Sequence, residues 1–450
     1  MIVKRIVSIL VCAILLFNIC SNALASNNQL STSYASSDSV KDDLREQGND
    51  TDYAIQRAKK TVEEYLRINM CKYDPAAKGK LSYDHIIRAD NSFKDYAEKL
   101  LVLTNNRYKS FDSLKLERVN YKIEYGEISC NKGLYTLHVS VLEEKKYENQ
   151  VECGYVFTNH TFTVKQENGM YYIEDDVTDD YVDTYLREHA YKGKCMIDEL
   201  IESDKEEIRC SLGKSREEME AYLLAKELSN CPNLEINRVD SFSEETRTDI
   251  ELDSTASEED NRVEFSGVDY SRVGNRGVRI YSLDYNKMYN YAKSYNRASP
   301  YKIANRNPNY ANFDGWGGDC TNYASQIIYA GGAPMDNTGN YQWYYFSSSD
   351  RCSWTGVEAL YSYLIHNDYI GPQGTDVTSW YTTAVKKGDL VQLRFHVDDQ
   401  QYDHTLWIIS HQTGTTGYTR IACHTSDRWN EPIASMTGYK RWIRLTGYGK

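Results

Sequence analysis

The chain has 450 residues, 41% of them hydrophobic, and carries 52 Lys and Arg against 65 Asp and Glu, for a formal net charge of −13. That length accommodates two domains and a linker. No basic patch of the kind that grips a phosphate backbone is present, which excludes a nucleic-acid partner.

Residues 1–25 read as a secretory signal peptide. Lys4 and Arg5 form the basic start, Ile6 to Ile19 the apolar stretch, and Ala23-Leu24-Ala25 the small-residue cleavage site. The apolar stretch is short for a membrane span and no other long apolar run follows, so stable membrane insertion is not expected. Cys20 lacks the preceding small residues of a lipoprotein signal, which points to a secreted, extracellular or cell-wall associated protein. Losing Lys4 and Arg5 takes the formal charge from −13 to −15, and losing Cys12 and Cys20 leaves nine of the 11 cysteines. Disulfides are possible outside a reducing cytoplasm, and an odd number leaves at least one thiol free within a monomer. Residues 26–50, rich in Ser and Asn, are expected to be disordered.

Residues 51–235 have the pattern of a small α+β module. Ala54, Ala58, Val62 and Tyr65 recur at helical spacing, predicting a helix over 51–70; Phe93, Tyr96, Leu100 and Leu103 predict another over 84–105. The period then switches to two. Tyr121, Ile123 and Tyr125 mark one strand, Tyr135, Leu137, Val139 and Val141 a second, and residues 151–165 a third. Asn168-Gly169 turns tightly into Met170-Tyr171-Tyr172-Ile173. Helical sequence continues to about residue 230. Helices followed by a meander are weakly reminiscent of cystatin-like or nuclear-transport-factor-like folds, and no catalytic constellation accompanies them. Residues 236–275 have linker composition: nine acidic residues and one arginine lie between Asp240 and Asp260. Such a segment cannot bury enough surface to offset its ordering entropy and repels itself into extension.

From residue 276 the balance changes, with fifteen Lys and Arg against fourteen Asp and Glu over 283–450. Gly317-Gly318-Asp319-Cys320 sets a cysteine at a turn-to-helix junction: the glycines free the backbone, Asp319 suits the N-cap, and Gly331-Gly332 stops the helix. A thiol in a first helical turn feels the positive end of the helix dipole, which favours the thiolate that a nucleophile needs. The same residue also fits a small core position, because Cys320, Ala324 and Ile327 share a helical face.

Asp403 to Ser410 then reads as a strand and Tyr418 to His424 as its return, with Gly414 and Gly417 at the reversal. If Ser410 sits opposite Tyr418, Leu406 faces Ala422 and His404 faces His424, so both histidines share a sheet face. Cysteine, adjacent histidine and a second polar residue orienting that histidine form the nucleophile–base–orienter arrangement. The same three residues would also suit catalytic zinc with water as fourth ligand, although no short-spaced ligand pair supports it. His366, His396 and His411 have no such partner. Cys423 points away from the proposed site and, with Cys352, reads as structural.

The run Asn307-Pro308-Asn309-Tyr310-Ala311-Asn312-Phe313, then Gly318-Asp319-Cys320-Thr321-Asn322-Tyr323-Ala324-Ser325-Gln326 and Gly331-Gly332, resembles the family described as a putative amidase domain of Gram-positive bacteria. Trp343-Tyr344-Tyr345, Ser353-Trp354, Lys387-Gly388-Asp389-Leu390, His404 and His424-Thr425 also fit, over about residues 280–450. The family more often has Phe where Tyr323 stands. It is similar to the papain-like (NlpC/CHAP-type) cysteine amidases, in which the cysteine opens a helix packed on an antiparallel sheet carrying the histidine. The resemblance implies Cys320 as nucleophile, His404 as base and His424 as third residue, with no cofactor or metal, acting on a peptide or peptidoglycan stem peptide. Asp319 and Asn322 are read as bracing the helix. An acyl transferase using the same Cys/His pair, or a non-catalytic binding module for the cell wall or a partner, are the alternatives.

Overall fold

The computed structural model describes residues 46–74, 82–148, 150–190, 197–211, 218, 235–240, 278–377, 384–395, 400–412 and 418–450. The signal peptide, residues 26–45 of the disorder expected over 26–50, most of the acidic linker, His396, and the Gly414 and Gly417 reversal lie outside the described residues, whereas residues 46–50 are helical and not disordered. The chain divides into two compact units, Met1–Tyr53 and Ala54–Lys450. Of the first, residues 46–53 are described, as the opening turns of helix α1 (Glu46–Met70).

Within the second unit, α1 turns Ala58, Val62, Tyr65 and Leu66 inward. Helix α2 (Ser92–Ser110) begins where Asn91 Oδ1 accepts from the Phe93 amide at 2.9 Å. It therefore starts eight residues later than the periodicity predicts, and residues 84–90 form turns instead. Four strands follow: β1 (Leu116–Asn131), β2 (Leu134–Tyr147), β3 (Gly154–Glu167) and β4 (Met170–Thr178). Their alternate residues Val119, Tyr121, Leu137, Val139, Phe162 and Val164 meet both helices in one apolar core. Asn168 and Gly169 take φ of 52° and 78°, the left-handed pair that a tight hairpin demands. Helices α3 (Tyr181–Ala190) and α4 (Ile197–Ser211) come next. Residues 236–240, read as the start of the linker, instead belong to strand β5 (Glu235–Asp240), parallel to β1. Ile236 and Val239 are three residues apart, so the segment carries no period-two alternation that would declare a strand without its partner.

The second half comprises β6 (Ile280–Tyr281), α5 (Tyr285–Ser294), α6 (Cys320–Ala330), a small hairpin of β7 (Tyr344–Tyr345) and β8 (Arg351–Cys352), α7 (Val357–His366), and then β9 (Gly371–Val377), β10 (Leu390–Arg394), β11 (His404–Ser410), β12 (Arg420–Cys423), β13 (Arg428–Pro432) and β14 (Tyr439–Gly449). Its sheet is antiparallel. It does not stand alone. β13 pairs with β3 through Arg428↔Val156 and Trp429↔Tyr155, so both halves share one twelve-stranded sheet in a mixed α+β fold.

Each face of this second half is covered. On one, Ile327 and Ile328 of α6 pack with Trp407, Ala422 and Ile443. On the other, Tyr181, Tyr185 and Leu200 of α3 and α4 pack with Leu406, Ile408, Ile421 and Trp442. β11 is consequently buried along nearly its whole length, as a strand sandwiched between two layers must be. Buried polar contacts stitch the junction: Glu431 Oε1 accepts from Lys145 Nζ at 3.0 Å and from the Tyr147 hydroxyl at 2.8 Å. Arg107 Nε donates to the Ala434 carbonyl at 2.7 Å. Cys71, Cys130, Cys153, Cys320, Cys352 and Cys423 are free thiols.

Candidate functional site

Gly317 and Gly318 take φ of 93° and 112°, and this sharp turn delivers Asp319 and Cys320 to the start of α6. Asp319 holds the N-cap position without a side-chain capping bond. Its carboxylate gathers the surrounding loop instead. Oδ1 accepts from the Phe313 amide at 3.0 Å and from Asn322 Nδ2 at 2.7 Å. Oδ2 accepts from His424 Nδ1 at 2.6 Å. The Asp319 amide in turn donates to Thr425 Oγ1 at 2.7 Å.

His424 is fully engaged. Its Nε2 donates to the Tyr295 carbonyl at 2.6 Å, and its ring stacks on Tyr323 at 3.7 Å. With both ring nitrogens held in hydrogen bonds, neither is free for another partner in this arrangement. Beside it, Arg306 grips Asp427 with Nη1 and Nη2 at 2.6 and 2.7 Å, while Nη2 also reaches Asp314 at 2.9 Å. Burial disfavours ionised Asp427, but Arg306, His424 and Arg297 outweigh it and hold its carboxyl far below the usual range.

Cys320 is buried at 4% exposure, with its Sγ 3.7 Å from Thr321 Oγ1. Thr321 Oγ1 lies 2.9 Å from Thr405 Oγ1, which ties the first turn of α6 to β11. Burial pushes the Cys320 thiol up, against hydrogen bonding to the Thr405 backbone and to Thr321 that favours thiolate. The expected lowering at a helix start is therefore reversed here, because desolvation of the charge exceeds what the helix terminus supplies. Burial raises Cys423 as well, to about 12.

His404 goes elsewhere. The observed pairs are Trp407↔Ala422 and Ile408↔Ile421, one residue off the expected register, with an irregularity before Ser410↔Arg420. A one-residue slip exchanges faces. His424 thus shares the α6 face with Thr405 and Trp407, whereas His404 lies with Leu406 and Ile408 on the opposite face, its ring 5.0 Å from that of Tyr181. Among the described residues its buried Nε2 has no hydrogen-bond partner. Burial, then the Arg428 charge, holds its pKa down at about 3, so the ring is neutral. The structure bonds His424 to Asp319, the residue preceding Cys320, and places His404 on the opposite face of the sheet. Cys320, His404 and His424 do not converge as zinc ligands: among the described residues no trio of His, Cys, Asp or Glu is so placed.

Sequence reading missed the charge cage. Asp319 was expected only to brace the helix, and Arg306 and Asp427 carried no motif of their own. Asp427, three residues beyond His424, was the available signal. Trp343 and Trp354 are fully buried, their indole nitrogens donating to Ser325 Oγ at 3.1 Å and Asn322 Oδ1 at 2.9 Å, so these rings support α6 from behind. Phe346 and Trp316 are exposed, the latter at 81% on the loop leading to Cys320.

Residues 282–448 match the family described as "Putative amidase domain". Over 146 residues the chain is 30% identical to the "Uncharacterized protein YhbB" of Bacillus subtilis (strain 168), an alignment covering 32% of this chain and 40% of that one. The chain thus spans about two fifths of the length of the curated relative it matches. No solved structure matches. At a coarse level, the family match points to hydrolysis of amides.

Proposed function

We propose that residues 278–450 act as a papain-like cysteine hydrolase on an amide bond of a peptide, with peptidoglycan stem peptides as the substrate class, and that the chain is secreted. The observation that carries this reading is Cys320 at the first position of α6, beside the Asp319–His424 pair and within the stretch matching the amidase family. The Cys320 sulfur attacks the carbonyl and the Cys320 amide helps hold the oxyanion. The base takes the thiol proton and returns it to the leaving amine, and water then releases the acyl group from sulfur.

We assign the base role to His404, whose neutral ring keeps an unpartnered Nε2. His424 is the third residue. On this reading the arrangement described is a resting state, and the start of β11 must turn His404 from the Tyr181 ring toward Cys320. A second reading is favoured by the 2.6 Å contact between Asp319 and His424: His424 is the base and Asp319 its orienting carboxylate, once Nε2 leaves the Tyr295 carbonyl.

Incubating the full chain with purified peptidoglycan, with mass spectrometry of what is released, tests the proposal. Cys320→Ser should abolish release while leaving the fold intact; release that persists would overturn the nucleophile. His404→Ala eliminating activity while Asp319→Asn retains part of it supports the first reading, and the reverse supports the second. Incorporation of an added amine into the product would identify acyl transfer instead of hydrolysis.

A further inference from the structure

The first half of the chain has no part in that chemistry, yet it holds a partly open cavity of about 170 Å³. The cavity lies beneath α1 and α2 on the inner side of β2, β3 and β4, and Arg428 and Glu431 of β13 border it from the second half. A cavity of about 150 Å³ admits benzene, so this space takes a small organic group. Leu66, Met70, Val141 and Val156 give it an apolar wall.

Three further residues of the wall stand in the order nucleophile, base and orienter. Thr158 and His160 are two apart on β3 and therefore point to the same side of the sheet. Asp176 reaches them from β4, where it lies opposite Phe162. All three line the cavity. The Asp176 carboxylate meets His160 Nδ1 with both oxygens, Oδ1 at 2.9 Å and Oδ2 at 3.1 Å. That contact sets the proton of the neutral ring on Nδ1 and leaves the lone pair on Nε2. Nε2 lies 3.1 Å from Thr158 Oγ1, so the hydroxyl donates to it. The imidazole is also held against Phe162, with ring centroids 5.3 Å apart and planes 2° from parallel.

Burial is graded along this chain of contacts. His160 and Asp176 are 7% and 4% exposed, whereas Thr158 is half-buried, so the hydroxyl belongs to the most accessible of the three. Burial disfavours a charge on His160, but Asp176 outweighs it and raises the pKa, which is the stabilisation an imidazolium formed during attack requires. Charged residues on the border are already matched: Lys72 lies 3.9 Å from Glu143, and Arg428 3.2 Å from Asp180. A charged ligand would upset that balance, and an uncharged one leaves it alone.

We propose that Thr158 and His160, positioned by Asp176, form a second catalytic site that hydrolyses uncharged esters of short carboxylic acids. Thr158 Oγ1 attacks the ester carbonyl carbon as its proton passes to His160 Nε2. The tetrahedral intermediate expels the alcohol oxygen, which takes that proton, and the acyl group stays on Thr158. Water then attacks the acyl carbon and gives a proton to His160, and Thr158 Oγ1 recovers it as the carboxylic acid leaves. Asp176 stays ionised throughout and holds the ring. An ester is specified because an alcohol leaves more readily than an amine, and the cavity is too small for a polypeptide chain. This site works without Cys320 and stands whether or not Cys320 is a nucleophile.

The test is release of p-nitrophenolate from p-nitrophenyl acetate by the full chain in the Cys320→Ser background, with mass spectrometry of acid-quenched protein to locate the acetyl group. The expected result is saturable release with acetyl on Thr158. Thr158→Val, which keeps the shape and removes the hydroxyl, and His160→Gln should each lower kcat/KM about a hundredfold or more. Thr158→Ser should retain activity. Asp176→Asn should lower kcat and leave KM nearly unchanged, because it disturbs the tautomer and not a substrate contact. Three results would overturn the proposal: no release above the buffer rate, equal rates in Thr158→Val and its parent, or acetyl found on lysines alone. If the substituted chains do not fold, the position of the acetyl group on the Thr158 protein decides alone.

Discussion

His404 pairs a titratable ring with an environment that forbids its charge. Its pKa is held at about 3, against an ordinary 6.5, so the folded chain binds fewer protons there than the unfolded chain. Its contribution is complete above pH 6.5 and is lost as pH falls toward 3. Over the interval from 6.5 to 4 this amounts to about 3 kcal/mol. We expect His404→Phe, which keeps a ring against Tyr181 but cannot titrate, to flatten the acid limb of stability by that order. Urea unfolding across pH measures it, and parallel curves for the two proteins would contradict it. Cys320 gives a second expectation at this scale. With the thiol buried and pushed up, iodoacetamide at neutral pH should modify exposed Cys130 well before Cys320. Peptide mapping after brief labelling gives the order, and preferential loss of Cys320 would show that the thiol is reached in solution by a state more open than this one. The position of Cys320 at a helix start was legible from its glycines and its following residues. Its surroundings were not, because burial depends on what packs over the helix, and Thr405 of β11 comes from a distant part of the chain.

Among the elements, the meander was the most transparent. Period-two alternation marks β1 to β4, and the Asn168-Gly169 pair fixes the last hairpin. The β11–β12 hairpin was read correctly as two strands but in the wrong register. Alternation reports that residues two apart share a face; it does not say which residue lies opposite, and the irregularity beyond Ile408 moves the whole set by one. That single step separates His404 from His424. The turn before α6 is set more firmly. Gly318 at φ of 112° would place an added Cβ 3.4 Å from Thr425 Oγ1, the oxygen that receives the Asp319 amide. Gly318→Ala should therefore cost about 1–2 kcal/mol through backbone strain alone. It should also lower activity by more than that stability loss explains, since Asp319 and Cys320 are carried by the turn. Thermal midpoint and turnover, measured together, check both; an alanine variant with unchanged values would mean the turn is not constrained.

Across the whole molecule, composition separated an acidic first part from a neutral second part, and two domains on a tether were the natural expectation. The pairing of β13 with β3 was invisible, because a five-residue strand carries no local mark of a partner far earlier in the chain. That pairing changes what cleavage does. A protease cutting within residues 241–277 should leave two pieces that migrate together, held by β3–β13 and by the apolar layer of Tyr181, Leu200, Leu406 and Ile421. Size exclusion after limited proteolysis reads this directly. Separate folded halves eluting independently would show that the shared sheet contributes little.

The Lys145–Glu431 contact joins groups 286 residues apart in the chain. At a synthesis rate of roughly 5–20 residues per second, Lys145 waits on the order of 15–60 s before its carboxylate partner emerges. Throughout that interval the start of β3 is an open sheet edge, with an ammonium beside it lacking the Glu431 carboxylate. Such an edge is a template for any extended strand, including the β3 of a neighbouring nascent chain. Polypeptides that stop short of β13 therefore leave the β3 edge unpaired, and the edge closes only when the second half arrives.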